Sequence, residues 1–241
     1  MSGQAASVQQ PHPVVQERSG RWSIRYTQSL GRQLHTDHSR VWSDGQRTMV
    51  ALIDTNSMAA DIAADLVPAL YEHMELDFRR GADLLECFRS GRAAGWSKLG
   101  SLEMPPAERF VNAGLLLLDG DDIDYVGAYA PIYRCTPGSV ERIVFEGTVW
   151  GIEGLDDYPV DVRRLRLEEE TRLYVLSDGM LESKNAAGKI NGDSLLFAYW
   201  TGGDRRPGEE QDVTRILCAW YQEQDTEGID SHGLLSIEPV K

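Results

Sequence analysis

Four aspartates stand beside segments whose sequence pattern predicts β-strands, and these residues are the best suited to chemistry in this chain. They are Asp37, Asp54, Asp178 and Asp230. Carboxylates at strand ends can converge from distant parts of a chain, and clustered carboxylates repel one another unless a divalent cation neutralises them. An oxygen-rich site of this kind suits Mg²⁺ or Mn²⁺. Taken singly, each aspartate is better explained as a cap or turn residue, so the metal hypothesis depends on their combination.

Other kinds of active site lack their sequence signatures here. The chain contains no GxxxxGK[ST] or GxGxxG phosphate-binding loop, no GxSxG nucleophile elbow and no HExxH zinc motif. The three cysteines, Cys87, Cys135 and Cys218, are too scattered for a thiolate metal site or a redox pair. This cysteine usage predicts a reducing, cytoplasmic setting.

Alternation of apolar and polar residues predicts the strands that would position the aspartates. An apolar run over residues 48–53 ends on Asp54, and a second run over residues 172–176 ends at Ser177-Asp178-Gly179. Residues 110–145 read as an antiparallel meander. The predicted strands cover residues 21–28, 48–53, 110–118, 123–127, 132–135, 143–145, 158–165, 172–176 and 233–237.

Helices are predicted between these strands. Ile62, Leu66, Leu70 and Met74 recur on one helical face that would cover the sheet, with Pro68 as a kink or break. Residues 91–106 contain three glycines and a Pro-Pro pair, which predicts either a substrate-facing flap or an unstructured connector. Further helices are expected at residues 82–89, 195–200 and 209–221, and a mobile segment at residues 202–208. The absence of regular βαβ alternation favours an α+β layered sandwich.

Composition limits the domain organisation and the partners. The 241 residues are 41% hydrophobic and 26% charged, as expected of a globular protein, and carry a formal net charge of −14. A surface of that sign repels nucleic acid and anionic membranes, and no apolar run is long enough to span a bilayer. Residues 1–18, rich in Gln, Ser and Pro, are expected to be a flexible tail, and residues 19–241 a single domain.

The combination of segments resembles a known family. Residues 164–183 read RLRLEEETRLYVLSDGMLES, similar to the segment of SpoIIE-like and RsbU-like protein phosphatases in which an apolar strand ends in TDG and a short helix follows. The match here is Ser177-Asp178-Gly179 with Glu182. Asp37 falls where the family has GGD, and Asp230 falls where it has its final Asp-Asp pair. The resemblance covers about residues 20–239 and is strongest around Asp178.

The resemblance implies a fold and a metal centre. The family belongs to the metal-dependent (PPM-type) serine/threonine phosphatases, whose fold is a four-layer αββα sandwich of two antiparallel sheets flanked by helices. Two Mn²⁺ or Mg²⁺ ions, roughly 3.5–4 Å apart, would activate a water that attacks the phosphorus. By resemblance, Asp37 and Asp54 bridge or flank the metals, Asp178 holds one metal and Asp230 completes the shell. The backbone carbonyl of Thr55 stands where the family uses a glycine carbonyl.

Three positions depart from the family pattern. His35-Thr36 replace the glycines of GGD, residues 55–58 replace a glycine-rich turn, and Ala128-Tyr129-Ala130 replace AGH. Side chains at these points would narrow the site or reshape its turns. The lost histidine is a plausible leaving-group acid; His38, beside Asp37, is a candidate substitute, and a surface or packing role is the favoured alternative for it.

The function implied is hydrolysis of phosphoserine or phosphothreonine on a bacterial regulatory protein, by resemblance an anti-sigma factor antagonist of the STAS type. Preserved acidic positions favour catalysis, whereas the replaced glycines favour an alternative in which an inactive phosphatase fold acts as a regulatory binding module. A different carboxylate–metal hydrolase on a similar sandwich is a third hypothesis. A homodimer is left open by the sequence.

Overall fold

A computed structural model describes residues 12–29, 37–56, 58–102, 105, 110–144, 149–151, 160–184, 187–188, 192–201 and 232–240. Within these residues the chain forms two antiparallel sheets, one of six strands and one of five. The six-stranded sheet contains, in spatial order, β1 (His12–Ser19), β2 (Trp22–Ser29), β11 (His232–Pro239), β10 (Arg172–Leu176), β7 (Ile132–Thr136) and β8 (Ser139–Ile143). The five-stranded sheet contains β3 (Asp37–Ser43), β4 (Arg47–Asp54), β5 (Asn112–Asp119), β6 (Asp122–Gly127) and β9 (Arg163–Arg166).

Outside the two sheets, the described residues form four helices: α1 (Ala60–Arg79), α2 (Leu84–Gly100), α3 (Asp178–Glu182) and α4 (Ser194–Thr201). Apolar side chains fill three layers. One cluster lies between the five-stranded sheet and α1 and α2, a second between the two sheets, and a third between the six-stranded sheet and α3 and α4. This order of layers confirms the expected αββα sandwich. None of the helices in the described part of the chain is long and apolar enough to cross a membrane.

Several elements differ from the sequence expectations. Residues 12–18, expected in the flexible tail, belong to β1, which pairs with β2. The expected meander over residues 110–145 is divided, because β5 and β6 lie in one sheet whereas β7 and β8 lie in the other. The strand expected at residues 143–145 begins earlier, at Ser139. The expected segments at residues 202–208 and 209–221 lie outside the described residues.

The largest correction concerns residues 91–100, expected in a flap or connector, which belong to helix α2. The helix begins with a reciprocal capping box: Asp83 Oδ1 accepts from the Glu86 N–H at 2.8 Å, and Glu86 Oε2 accepts from the Asp83 N–H at 3.0 Å. Gly91 and Gly95 lie on its buried face. A Cβ at Gly91 would lie 2.8 Å from Met74 Cγ and 3.1 Å from the Trp150 ring. These glycines therefore allow close packing and do not end the helix.

Helix α1 likewise runs unbroken through Pro68, where a kink or break was expected. Its buried face carries Leu66, Leu70 and Met74, as the sequence spacing predicts. Burial of this face against the sheet and α2 outweighs the backbone hydrogen bond that proline cannot donate.

Candidate metal centre

The two sheets bring three of the four predicted aspartates together. Asp37 is the first residue of β3 and Asp54 is the last residue of β4, and the register of this antiparallel pair places them directly opposite each other. Asp178 begins α3 immediately after β10, which belongs to the other sheet. A ligand oxygen from each carboxylate lies within 4.8 Å of the other two. The cluster therefore joins one sheet to the other.

Burial makes this cluster unusual among the many acidic residues of the chain. Asp37 and Asp54 are only 3% and 2% exposed, and Asp178 is half-buried. Three adjacent carboxylates carry repelling charges that the surrounding protein screens less than water does. An all-oxygen donor set at this spacing fits a hard divalent cation such as Mg²⁺ or Mn²⁺.

The Asp54 carboxylate is held by donors on both oxygens. Its Oδ1 accepts from the backbone N–H of Asn56 at 2.7 Å, and its Oδ2 accepts from Asn112 Nδ2 at 3.2 Å. Asn56 adopts a φ of 52°, a left-handed conformation that asparagine tolerates, and its side chain donates to the Phe110 carbonyl at 3.4 Å. The turn after β4 thus folds back onto the carboxylate that ends the strand.

The Asp37 carboxylate accepts a short hydrogen bond from a tyrosine. The Tyr129 hydroxyl donates to Asp37 Oδ1 at 2.6 Å, and Gln28 Nε2 donates to the Asp37 backbone carbonyl at 3.0 Å. Burial of the hydroxyl and then the negative charge of Asp37 raise the pKa of Tyr129 well above its ordinary value. The phenol therefore stays protonated at neutral pH and donates the hydrogen bond to Asp37.

Asp178 is positioned by the junction between β10 and β11. The Ser177 N–H donates to the Gly233 carbonyl at 2.8 Å, and the Gly233 N–H donates to Ser177 Oγ at 2.9 Å. Gly179 is buried, and its N–H donates to Asp178 Oδ1 at 2.8 Å. The two hydrogen bonds between Ser177 and Gly233 fix the end of β10, and with it the Asp178 carboxylate that follows.

The remaining sequence candidates have different outcomes. The Thr55 carbonyl, in the turn directly after Asp54, accepts from the Met58 N–H at 3.2 Å. His38 follows Asp37 in β3, so its side chain points to the opposite face of the sheet, where its cross-strand partner Ile53 packs under the helices. Burial lowers the pKa of His38. This orientation favours a packing role over a proton-donating one. Asp230 and the His35-Thr36 pair lie outside the described residues.

Two residues of the centre were not assigned a role from the sequence. Asn112 faces Asp54 because β4 pairs with β5 in that register, and a register is not visible in residue spacing. Tyr129 was visible only as a departure from a glycine, with no indication that its hydroxyl would meet Asp37. The sequence signal for Asn112 is an amide side chain near the start of the strand predicted over residues 110–118.

Comparisons with known proteins identify the fold. The sequence matches no family model and no curated protein. Among solved structures, the chain is similar to the PP2C phosphatase domain of SpoIIE from Bacillus subtilis, with a TM-score of 0.72 and 16% identity over 92% of this chain and 64% of that one. It is similar to RsbX in complex with magnesium, with a TM-score of 0.65 and 11% identity over 93% and 98% of the two chains.

A third similar structure is the PPM Ser-Thr phosphatase MsPP from Mycobacterium smegmatis in complex with cacodylate. Its TM-score is 0.62 at 16% identity, over 90% of this chain and 97% of that one. The three similarities show that this chain has the PP2C (PPM) fold, as its resemblance to SpoIIE-like and RsbU-like phosphatases implied.

Proposed function

We propose that this chain, which has the PP2C fold, is a metal-dependent serine/threonine protein phosphatase. The observation that carries the proposal is the carboxylate cluster, in which Asp37, Asp54 and Asp178 converge within 4.8 Å from two sheets. Buried like charges are costly, and folds keep them where a cation or a reaction uses them. These three residues are among those that the family resemblance implies as metal ligands, which supports the proposal.

The chain's own residues divide the work of such a centre. Asp37 and Asp54 hold one side of the site and Asp178 the other, with the Thr55 carbonyl and Asp230 as further ligands in the proposal. When bound, two Mn²⁺ or Mg²⁺ ions supply a water activated for in-line attack on phosphorus and offset charge on the phosphoryl oxygens. Asn112, Asn56 and Gly179 orient the carboxylates through the hydrogen bonds described above. No side chain beyond the metal ligands is assigned a catalytic role.

The experiment measures hydrolysis of a phosphoserine peptide and of an aryl phosphate in millimolar Mn²⁺. We expect Asp178→Asn to lower kcat/KM by at least about 100-fold, because it removes a metal ligand. The matched control is Asp161→Asn, which removes the same charge from a side chain that is 73% exposed. Equal activity of the wild type and Asp178→Asn would contradict the proposal.

A second candidate function is a phosphatase fold that binds a regulator without turning it over. The observation that favours it is Tyr129, which stands where the family has glycine. Its hydroxyl donates a hydrogen bond to Asp37. Under this alternative the wild type binds Mn²⁺ in a carboxylate-dependent manner but hydrolyses neither substrate. Calorimetric titration with Mn²⁺, run beside the activity assay, separates the two functions.

The proposed substrate is a phosphorylated bacterial regulatory protein of the anti-sigma factor antagonist (STAS) type, on the basis of the family resemblance alone. A folded, serine-phosphorylated STAS domain should be hydrolysed faster than a peptide of the same local sequence, since a folded partner contributes binding surface beyond the phosphoserine. Equal kcat/KM values would argue against recognition of a folded regulator. A cytoplasmic location and a homodimer stay predictions.

A further inference from the structure

Tyr129 lies in the loop between β6 and β7, and backbone contacts hold this loop against the five-stranded sheet. Ala128 N–H donates to the Ala113 carbonyl at 2.9 Å, which ties the residue before Tyr129 to β5. At Gly127 a Cβ would lie 2.2 Å from the same carbonyl oxygen, and at Gly114 it would lie 3.0 Å from the Tyr129 Cβ. The two glycines therefore allow the loop to approach β5 closely enough for the tyrosine to reach the carboxylate cluster.

The Tyr129 hydroxyl makes a specific polar contact in addition to packing. Its hydrogen bond to Asp37 Oδ1 is 2.6 Å long, a short distance that is expected when a hydroxyl donates to a carboxylate. Such a bond resists rotation of the carboxylate about its Cβ–Cγ bond and reduces its effective negative charge. Asp37 is 3% exposed, so bulk water does little of this work.

We propose that Tyr129 is a positioning residue of the metal centre: its hydroxyl orients the Asp37 carboxylate for metal binding. The inference rests on the proposed metal-dependent function and adds a residue that stands where the family has glycine. Hydrogen bonds from outer residues to metal ligands commonly change metal affinity by about 10–100-fold. The Tyr129 side chain takes up space that a glycine would leave open beside the site, and in return its hydroxyl orients one of the carboxylates there.

The test compares two tyrosines of the same region. Tyr129→Phe keeps the ring and removes only the donor to Asp37. The matched control is Tyr125→Phe, because the Tyr125 hydroxyl donates to the Ala130 carbonyl at 3.4 Å. Calorimetric titration of the full chain with Mn²⁺ should show at least about tenfold weaker binding for Tyr129→Phe and less than about twofold change for Tyr125→Phe.

A second readout distinguishes positioning from a general loss of structure. The Mn²⁺ concentration for half-maximal activity should rise in Tyr129→Phe by the same factor, while KM for the phosphopeptide stays within about twofold. Tyr129→His, which keeps a ring N–H donor, should bind Mn²⁺ more tightly than Tyr129→Phe. Equal Mn²⁺ affinity of the wild type and Tyr129→Phe would overturn the inference. Tyr125→Phe that weakens Mn²⁺ binding as much as Tyr129→Phe does would also overturn it, and so would failure of the Tyr129→Phe chain to fold.

The outcome also separates this inference from the proposed function. A wild type that binds Mn²⁺ more tightly than Tyr129→Phe but hydrolyses nothing would refute the phosphatase and leave the positioning role standing. A wild type that is active, with Tyr129→Phe unchanged in Mn²⁺ affinity, would refute the positioning role alone. A wild type that binds no Mn²⁺ would refute both.

Discussion

The three clustered carboxylates oppose the stability of the fold that holds them. Asp37, Asp54 and Asp178 have ligand oxygens within 4.8 Å of one another, and two of these residues are almost fully buried. Like charges at such spacing repel unless a cation lies between them. Three charged carboxylates held this close therefore lower the stability of the fold when no cation lies between them.

This trade-off gives a prediction for thermal stability. In excess EDTA, Asp178→Asn should unfold at a temperature several degrees higher than the wild type, because the amide removes one repelling charge and keeps an oxygen that can accept from the Gly179 N–H. Scanning calorimetry measures the difference, with Asp161→Asn as the surface control. A variant less stable than the wild type would show that the carboxylate contributes more through hydrogen bonds than it costs through repulsion.

The sequence predicts the positions of individual aspartates better than it predicts their hydrogen-bond partners. Asp54 and Asp178 follow apolar runs, so strand periodicity alone places them at the ends of strands. Tyr129 meets Asp37 only because two glycines allow a close backbone approach, and Asn112 meets Asp54 only through strand register. Such contacts depend on three-dimensional distances that spacing along the chain does not encode.

Among the elements, helix α2 shows why glycine misleads a sequence-based prediction. Gly91 and Gly95 suggest a loop, yet both lie against the Trp150 ring, and a Cβ at Gly91 would also lie 2.8 Å from Met74 Cγ. Trp150 pairs with Val111 in an isolated bridge and packs its ring on Phe88. The tryptophan is far from the helix in the sequence, so a helical packing glycine and a loop glycine look alike before the fold is known.

Two glycines, one in the turn before β6 and one at the end of β6, give a prediction that separates backbone strain from steric overlap. Gly120 has a φ of 61° with open space around it, whereas Gly127 has a φ of 128° and lies against the Ala113 carbonyl. Gly120→Ala should therefore cost about 1–2 kcal/mol of unfolding free energy. Gly127→Ala should cost more than about 3 kcal/mol, since backbone strain and overlap add. Urea unfolding measures both, and similar losses would contradict the contact at Ala113.

The β3–β4 hairpin gives a prediction for pH dependence. Asp44 in its turn accepts backbone hydrogen bonds from Arg47 at 2.7 Å and Gln46 at 3.0 Å, and the Arg47 bond is the main cause that lowers the pKa of Asp44. A carboxyl group with a lowered pKa in the folded state stabilises the fold above its ordinary pKa of about 4, and this contribution is lost as the pH falls.

The corresponding variant is Asp44→Ala. It should be less stable than the wild type at pH 7, and the difference should shrink as the pH falls from about 5 to about 3. Urea unfolding at several pH values checks this. A difference that stays constant across the range would mean that the turn, and not the ionised carboxylate, carries the effect.

For the whole molecule, the position of the centre between the sheets predicts coupling of metal binding to folding. The three carboxylates come from β3 and β4 in one sheet and from just after β10 in the other, so an unfolded chain cannot present them together. At a free Mn²⁺ concentration 100 times the dissociation constant, binding should stabilise the fold by about 2.7 kcal/mol.

For a chain of this length that stabilisation corresponds to a rise of roughly 5–10 °C in the unfolding temperature. Calorimetry with and without Mn²⁺ measures the shift, and Asp178→Asn should show little or none of it. A shift that is equal in the two proteins would place the bound ion elsewhere, for instance among the solvated acidic residues that give the chain its net charge of −14.

The order of these residues along the chain also sets the order in which they become available to the cluster during synthesis. Asp37 and Asp54 leave the ribosome together, within one hairpin, and Asn112 and Tyr129 follow them. Of these five residues Asp178 emerges last, after the donors to the first two carboxylates are already available. A nascent chain that ends before Asp178 therefore has two carboxylates with their hydrogen-bond donors but lacks the third carboxylate, so the complete cluster forms only after β10 has been synthesised.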